Sequence, residues 1–355
     1  MECSTCRLVP LGFAAPIKDP MKSIIAALSA SALSLLLCCC SNVVEATELS
    51  AIAPLPPMFA RPFICTGEWD TRNPWAQTIY LVRDGQVSWR YSIPLYTCPF
   101  SIQEFSDVAM LPNGNVVFAC MNGAGIITPE KNLIWQFRCP PETETHSCQP
   151  VGKDLVLLAL NGKVGKVLLI NTVSNEILKE VVIPTTGTYA HYQFRHVRMT
   201  PGGKTFMVGL LTEKKVIELD FDGKEVWSYP ASSAWSVVRL LNGNTLISGD
   251  SEGYTREVNL KGETVWEFTQ RDTSIKLHNT QTASRLANGN TVITNWVAGI
   301  KNTQEWKTSV QAFEVTPDKR VVWTLSSWDK PDLGPCTSFQ FIDMIDKSEG
   351  PDLQR

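Results

Sequence analysis

Four histidines, an arginine, a lysine and one tryptophan carry most of the chemistry this sequence could do. His146, His196 and His278 each stand at the entry to an apolar run, and His191 lies just upstream of the run that holds His196. Arg195 adjoins His196, Lys276 lies close before His278, and Trp235 precedes Ser236. Imidazole changes charge near neutral pH and can act as acid, base or ligand. A guanidinium or ammonium at Arg195 or Lys276 would hold an anion, and an indole at Trp235 would stack a ring or a sugar. Asp107 and Thr282 occupy matching places in two further runs, with Glu104 close by. Aligned on the turns that follow them, Asp107, His146, His196, Ser236 and Thr282 share one register, His146 to within a residue. One polar position repeated along alternating strands predicts a ring that faces water or a ligand.

The elements that must position these residues are repeats. Tight turns recur at Leu111-Pro-Asn-Gly-Asn115, Thr200-Pro-Gly-Gly-Lys204, Leu241-Asn-Gly-Asn244 and Leu286-Ala-Asn-Gly-Asn290. Asn-Gly suits a two-residue hairpin, in which both residues take positive φ. A second turn recurs before tryptophan: Arg83-Asp-Gly-Gln-Val-Ser-Trp89, Pro129 to Trp135, Phe221 to Trp227, Leu260 to Trp266 and Pro317 to Trp323. A degenerate copy without tryptophan runs from Asn171 to Ile177. Periods of about 40–50 residues holding four strands each are the pattern of propeller blades. The predicted fold is therefore all-β: a single β-propeller over 58–345 with six four-stranded blades, or seven if 60–100 hides a further element. Complete units span 105–138, 146–184, 194–230, 235–270 and 278–326. The partial unit 60–94 lacks a first strand, which Thr337-Ser-Phe-Gln-Phe-Ile-Asp343 can supply by pairing the N- and C-terminal segments. Closure of this kind removes exposed sheet edges.

The repeated tryptophans predict packing between blades. Trp69, Trp75, Trp296 and Trp306 break the repeat and are the better ligand candidates, with 296–307 an insertion in its blade. In a propeller the first strands line the channel, so the polar register predicts a pocket at one channel mouth.

Residues 1–40 read as a leader, with Met21-Lys22-Ser23 a candidate true start before the apolar run Ile24 to Leu37. Cys38, after Leu35-Leu36-Leu37, resembles a lipidation site, and cleavage after Val44-Glu45-Ala46 is the rival. Residues 41–57 then form a tether and 346–355 a disordered tail. The expected location is export to a bacterial periplasm, or the outer membrane as a lipoprotein, with a lipid anchor the one membrane contact. Outside the leader stand Cys65, Cys98, Cys120, Cys139, Cys148 and Cys336. The Cys139–Cys148 pair is the favoured disulfide, and buried thiols are the alternative.

The Asp-Gly-Lys-x-x-Trp and Asn-Gly-Asn turns resemble the PQQ-like repeats of quinoprotein dehydrogenases and the repeats of bacterial arylsulfotransferases, over most of 80–325. The resemblance implies a propeller. The sulfotransferase likeness further implies a histidine that takes a sulfuryl group, His196 or His146 here, with Arg195 stabilising charge. The quinoprotein likeness implies a disulfide between adjacent cysteines and a calcium site. The adjacent cysteines of this chain, Cys38 to Cys40, lie in the leader, so no cofactor is expected.

Net charge is −3 and no basic run occurs, which argues against nucleic acid as a partner. No phosphate loop or zinc-ligand spacing stands out, and no metal is expected. The reading is a monomeric binding propeller that takes a carbohydrate, small molecule or protein at the channel mouth. The alternative is an enzyme, sulfotransferase-like or a sugar lyase or epimerase, whose catalytic candidates are His146, His196 and His278.

Overall fold

A computed structural model describes residues 57–97 and 101–343. The leader with Cys38, most of the tether, Cys98 and the C-terminal tail lie outside the described residues. Within them the chain folds as an all-β propeller of six four-stranded blades. Blade 2 is Phe105–Met110, Val116–Cys120, Gly123–Ile127 and Leu133–Arg138. Blade 3 is Cys148–Val151, Leu155–Leu160, Lys166–Asn171 and Ile177–Val182. Blade 4 is Phe194–Met199, Thr205–Leu210, Lys215–Asp220 and Glu225–Pro230. Blade 5 is Ala234–Arg239, Thr245–Gly249, Tyr254–Val258 and Thr264–Phe268. Blade 6 is Ala283–Arg285, Thr291–Thr294, Ala312–Val315 and Val321–Leu325. Blade 1 joins the two ends of the domain: Ser338–Phe341 is its first strand, followed by Phe63–Thr66, Gln77–Arg83 and Gln86–Ile93. The ring closes as the repeat predicted, with no seventh blade among the described residues.

The turns after the first strands do join first and second strands, but not as two-residue hairpins. In blade 2 the Leu111 carbonyl accepts from Gly114 N at 2.9 Å, and Leu111 N donates to Asn115 O at 2.8 Å. Only the glycine is left-handed, at φ 86°, while the asparagine before it keeps negative φ and its Oδ1 accepts from Asn115 N. This is the three-residue loop ending in a glycine bulge, and it recurs at Gly243 and Gly289, each also at φ 86°.

Apolar side chains gather between blades rather than in one central core. Neighbouring sheets share buried clusters, such as Val151, Leu157 and Ile183 of blade 3 against Phe194, Phe206 and Leu219 of blade 4. The outer-strand tryptophans reach across these seams. Trp89, Trp135, Trp227, Trp266 and Trp323 each donate Nε1–H to the segment leading into the next blade's outer strand, or for Trp323 to Met58 O ahead of blade 1, over 2.8–3.2 Å. Blade 3 is the exception. Its outer strand carries the same register shift, which places exposed Lys179, not Ile177, at the tryptophan position.

Cys65, Cys120, Cys139 and Cys336 are free thiols, and Cys148 forms no disulfide with any of them. The Cys139–Cys148 disulfide does not form, because Cys148 opens the inner strand of blade 3 while Cys139 follows the outer strand of blade 2. Burial pushes the Cys65 and Cys139 thiols up to about 12, which suppresses the reactive thiolate.

Candidate functional site

The first strands carry two polar layers into the channel. Asp107, His196 and Ser236 are third in their strands, and cross-strand pairing puts Ser147 and Thr282 at the equivalent places. His146 therefore stands one residue earlier, level with Ser106, Arg195, Trp235 and Gln281. Register shifts at Phe105/Asp107, Phe194/Val197 and Ala234/Ser236 show why two successive residues can both face the channel. A bulge breaks the alternation of a strand and re-aims a side chain.

The lower layer is tied together. Arg198 Nη2 donates to Asp107 Oδ1 at 2.9 Å, and Arg198 Nη1 donates to Ser147 Oγ at 2.8 Å. Ser338 Oγ donates to Asp107 Oδ1 and Cys148 N to Asp107 Oδ2, both at 3.2 Å. Asp107 thus bridges blades 1, 3 and 4 from blade 2. His196 Nδ1 accepts from Arg198 Nη2 at 3.0 Å, which leaves the proton of a neutral ring on Nε2. Burial, only partly offset by Asp107, lowers His196 to about 3, so the ring is neutral at physiological pH. Its Nε2 meets no partner.

The upper layer is richer and less satisfied. His146 is fully buried, with Nδ1 2.9 Å from Ser106 Oγ and 3.7 Å from Glu68 Oε1. Its Nε2 lies 2.9 Å from Glu144 Oε1 and 2.5 Å from Arg195 Nη1. His191 Nδ1 reaches the same Glu144 oxygen at 3.1 Å. The Arg195 guanidinium stacks on Trp235, 4.3 Å from the ring centroid. Glu68, Glu104 and Asp250 complete the mouth from blade 1, the approach to blade 2, and blade 5. Their Oε1, Oε2 and Oδ1, with Arg195 Nε, Trp235 Nε1 and Gln281 Oε1, are buried without hydrogen-bond partners.

The carboxyl groups divide into two kinds. Burial would raise Glu68, but the His146 imidazole and the Arg195 charge overcome it and hold Glu68 low. Burial would likewise raise Glu144, and contacts with His146 and His191 hold it low. Glu104 is pushed well up, by burial and then by the Glu68 charge. Asp250 rises to about 7, again through burial and then Glu68. The mouth therefore holds ionised and protonated carboxyls side by side.

His146, Arg195 and Trp235 meet in the upper layer, and Asp107, His196, Ser236 and Thr282 lie in the layer below. Thr282 Oγ1 donates to Thr337 O at 2.7 Å. Lys276 and His278 are set apart, lining a cleft of 390 Å³ with Glu305 and Ser309, where His278 Nε2 is 3.5 Å from Ser309 Oγ. Of the exceptional tryptophans, Trp306 is wholly buried beside Trp328, and Trp296 Nε1 donates to Glu68 O at 2.9 Å. Trp75 is 83% exposed. The sequence reading missed Glu68, Glu144 and Asp250. Glu68 and Asp250 each directly follow a glycine at the end of a second strand, Thr66-Gly67-Glu68 and Ser248-Gly249-Asp250, a signal that aligning second strands would expose.

No family model matches the chain, and no curated protein matches it by sequence. Among solved structures it is similar to a protein of unknown function from Bacteroides caccae, at 22% identity and TM-score 0.68, over 79% of this chain and 98% of that one. It is also similar to virginiamycin B lyase from Staphylococcus aureus, at 14% identity and TM-score 0.48, over 74% and 83% of the two chains. The WD40 propeller domain of Doa1 matches at 14% identity and TM-score 0.48, over 66% and 71%. The Bacteroides likeness supports the fold, and none of the three bears on chemistry.

Proposed function

We propose that the protein binds a small, polar, hydroxyl- or amine-bearing ligand at the upper mouth of its channel. One observation carries this reading: Glu68, Glu104, Arg195, Trp235, Asp250 and Gln281, from five blades, each have a buried polar atom without a partner, and these side chains interact with one another at one end of the ring. Buried polar groups are costly unless something bonds them. Ordered water is the simplest filler, and an organic ligand with hydroxyl or amino groups meets the same demand with more binding energy. Glu68, Glu104, Glu144 and Asp250 stand there against the Arg195 guanidinium, a balance that disfavours sulfated or otherwise strongly anionic ligands.

A second reading is supported by the split between Glu68 and Glu104. A neighbouring ionised and protonated carboxyl can serve as base and acid, so the same mouth could act on a sugar as a lyase or epimerase. For a sulfotransferase-like reaction, His196 has the unpartnered Nε2 but lies in the lower layer, braced by Arg198.

The test is a thermal-shift and calorimetric screen of the purified protein with neutral glycans, amino sugars, uronic acids and aryl sulfates. Each compound is run against wild type and Glu68→Gln, which replaces an ionised carboxylate at the mouth. Stabilisation of wild type by a neutral or amino compound, weakened at least tenfold in the variant, supports the reading. Preference for aryl sulfates or uronic acids, or no shift from any compound, refutes it.

A further inference from the structure

We propose that Glu144, His146 and His191 form a site for a divalent transition metal, zinc by ligand chemistry, spanning blades 3 and 4 at the channel mouth. Each offers one ligand atom, and these atoms all lie within 4.8 Å of one another. Zinc holds nitrogen and carboxylate oxygen at about 2.0–2.2 Å, so its ligands sit about 3–3.5 Å apart around it. Both imidazoles already aim at one oxygen, Glu144 Oε1, over 2.9 and 3.1 Å. Two histidines and a glutamate with a fourth position open is a common catalytic zinc set.

The groups behind these ligands agree. His146 Nδ1 is held by Ser106 Oγ at 2.9 Å, which turns Nε2 toward Glu144. A ligating histidine generally has its other ring nitrogen fixed in this way. Glu68, 3% exposed, presents the unpartnered Oε1 on the far side of the same ring, 3.7 Å from Nδ1. Entry is open as well: Glu144 lines a cleft of 570 Å³ with Asn122, Thr143, Gly162 and Tyr189.

Proton placement supplies the strongest argument. If His146 Nε2 carries a proton, it satisfies Glu144 but faces Arg195 Nη1 at 2.5 Å, donor against donor. If Nε2 is bare, it accepts from Arg195 but faces a carboxylate oxygen at 2.9 Å, lone pair against lone pair. With Glu144 ionised, neither placement of the ring proton makes both contacts favourable. A metal ion between Nε2, Oε1 and His191 Nδ1 resolves the conflict once Arg195 Nη1 withdraws, and the Trp235 face gives the guanidinium a favourable contact. The ligands fit no familiar spacing, since His191 lies 47 positions after Glu144, so nothing in the chain's motifs pointed to zinc.

This proposal stands apart from organic-ligand binding and is tested without any such ligand. The full chain is stripped with chelator, and zinc uptake is measured by metal analysis and calorimetry. Cobalt(II) serves as the spectroscopic probe of four-coordinate geometry. Wild type should take up one equivalent, with Glu144→Gln and His191→Ala weakening binding at least tenfold. His278→Ala, in the separate cleft, should match wild type, and Arg195→Met should bind more tightly. Both weakening substitutions fall on part-exposed residues, so folding can be verified by melting alone. Uptake by wild type below a tenth of an equivalent overturns the proposal. So does uptake that either substitution leaves unchanged, or that His278→Ala lowers as much.

Discussion

The Asp107–Arg198 pair offers a demanding check on how the ring is held together. The two side chains are 1% and 2% exposed and meet at 2.9 Å. Asp107 also accepts from Ser338 and Cys148, so one carboxylate joins four consecutive blades. Removing one partner of a buried ion pair strands the other charge and costs about 3–5 kcal/mol. Arg198→Met and Asp107→Asn should each lose that amount, or roughly 5–8 °C in Tm for a domain of this size, whose unfolding entropy is about 0.6 kcal/mol per kelvin. The double variant removes both charges, while the carboxamide oxygen that Asp107→Asn introduces can still accept from Cys148 N. It should therefore lose far less than the sum of the singles, with a coupling energy of about 2–4 kcal/mol. Equilibrium urea unfolding of the four proteins, read by tryptophan fluorescence, measures the cycle. Singles that each cost under about 1 kcal/mol, or a double equal to their sum, would refute the cross-brace.

Two further outcomes follow from other sites. Asp250 has its folded pKa raised to about 7 from an unfolded value near 3.8. Its contribution to stability is full below about pH 4 and is lost as pH rises through 7, by about 2–4 kcal/mol. Asp250→Asn should flatten that slope between about pH 4 and 7 and leave the variant the more stable at about pH 8; parallel wild-type and variant curves in urea titrations would contradict it. Gly67 lies where the chain ends meet, and a Cβ there would sit 1.9 Å from the Pro335 carbonyl oxygen. Gly67→Ala should lower Tm by roughly 3 °C or more through the forced backbone shift, at about 2 °C per kcal/mol, and an unchanged Tm would mean the closure is looser than described.

The fold was readable because blades repeat their punctuation. Gly114, Gly243 and Gly289 terminate the same loop, and tryptophan marks the same outer-strand position in five of six blades. The channel was half readable. Arg195, Trp235 and His146 appear when first strands are aligned, but the bulges that turn adjacent residues inward leave no mark in an alternating pattern. Glu68 and Asp250 lie beyond second strands, outside that alignment, and Glu144 gains meaning only when His191 folds across to it. Lys276 and His278 show the reverse error: nearness to a first strand in sequence did not bring them to the axis.

The seam between blades 3 and 4 differs from the other five in how it is bound. Where its neighbours have an indole latch at the rim, it has exposed Lys179. Its ties lie at the spine: Ser147 Oγ bonds Val197 N and O at 3.1 and 3.2 Å, and Gln149 Oε1 accepts from Met199 N at 2.7 Å. The joint is stitched at its inner edge and packed by apolar side chains, with no indole closing its rim. Any change in the angle between these two blades would turn about those inner stitches as a pivot. Glu144 and His146 stand on one side of that pivot and His191 and Arg195 on the other, so the angle of a single joint sets the spacing of the groups best placed to do chemistry.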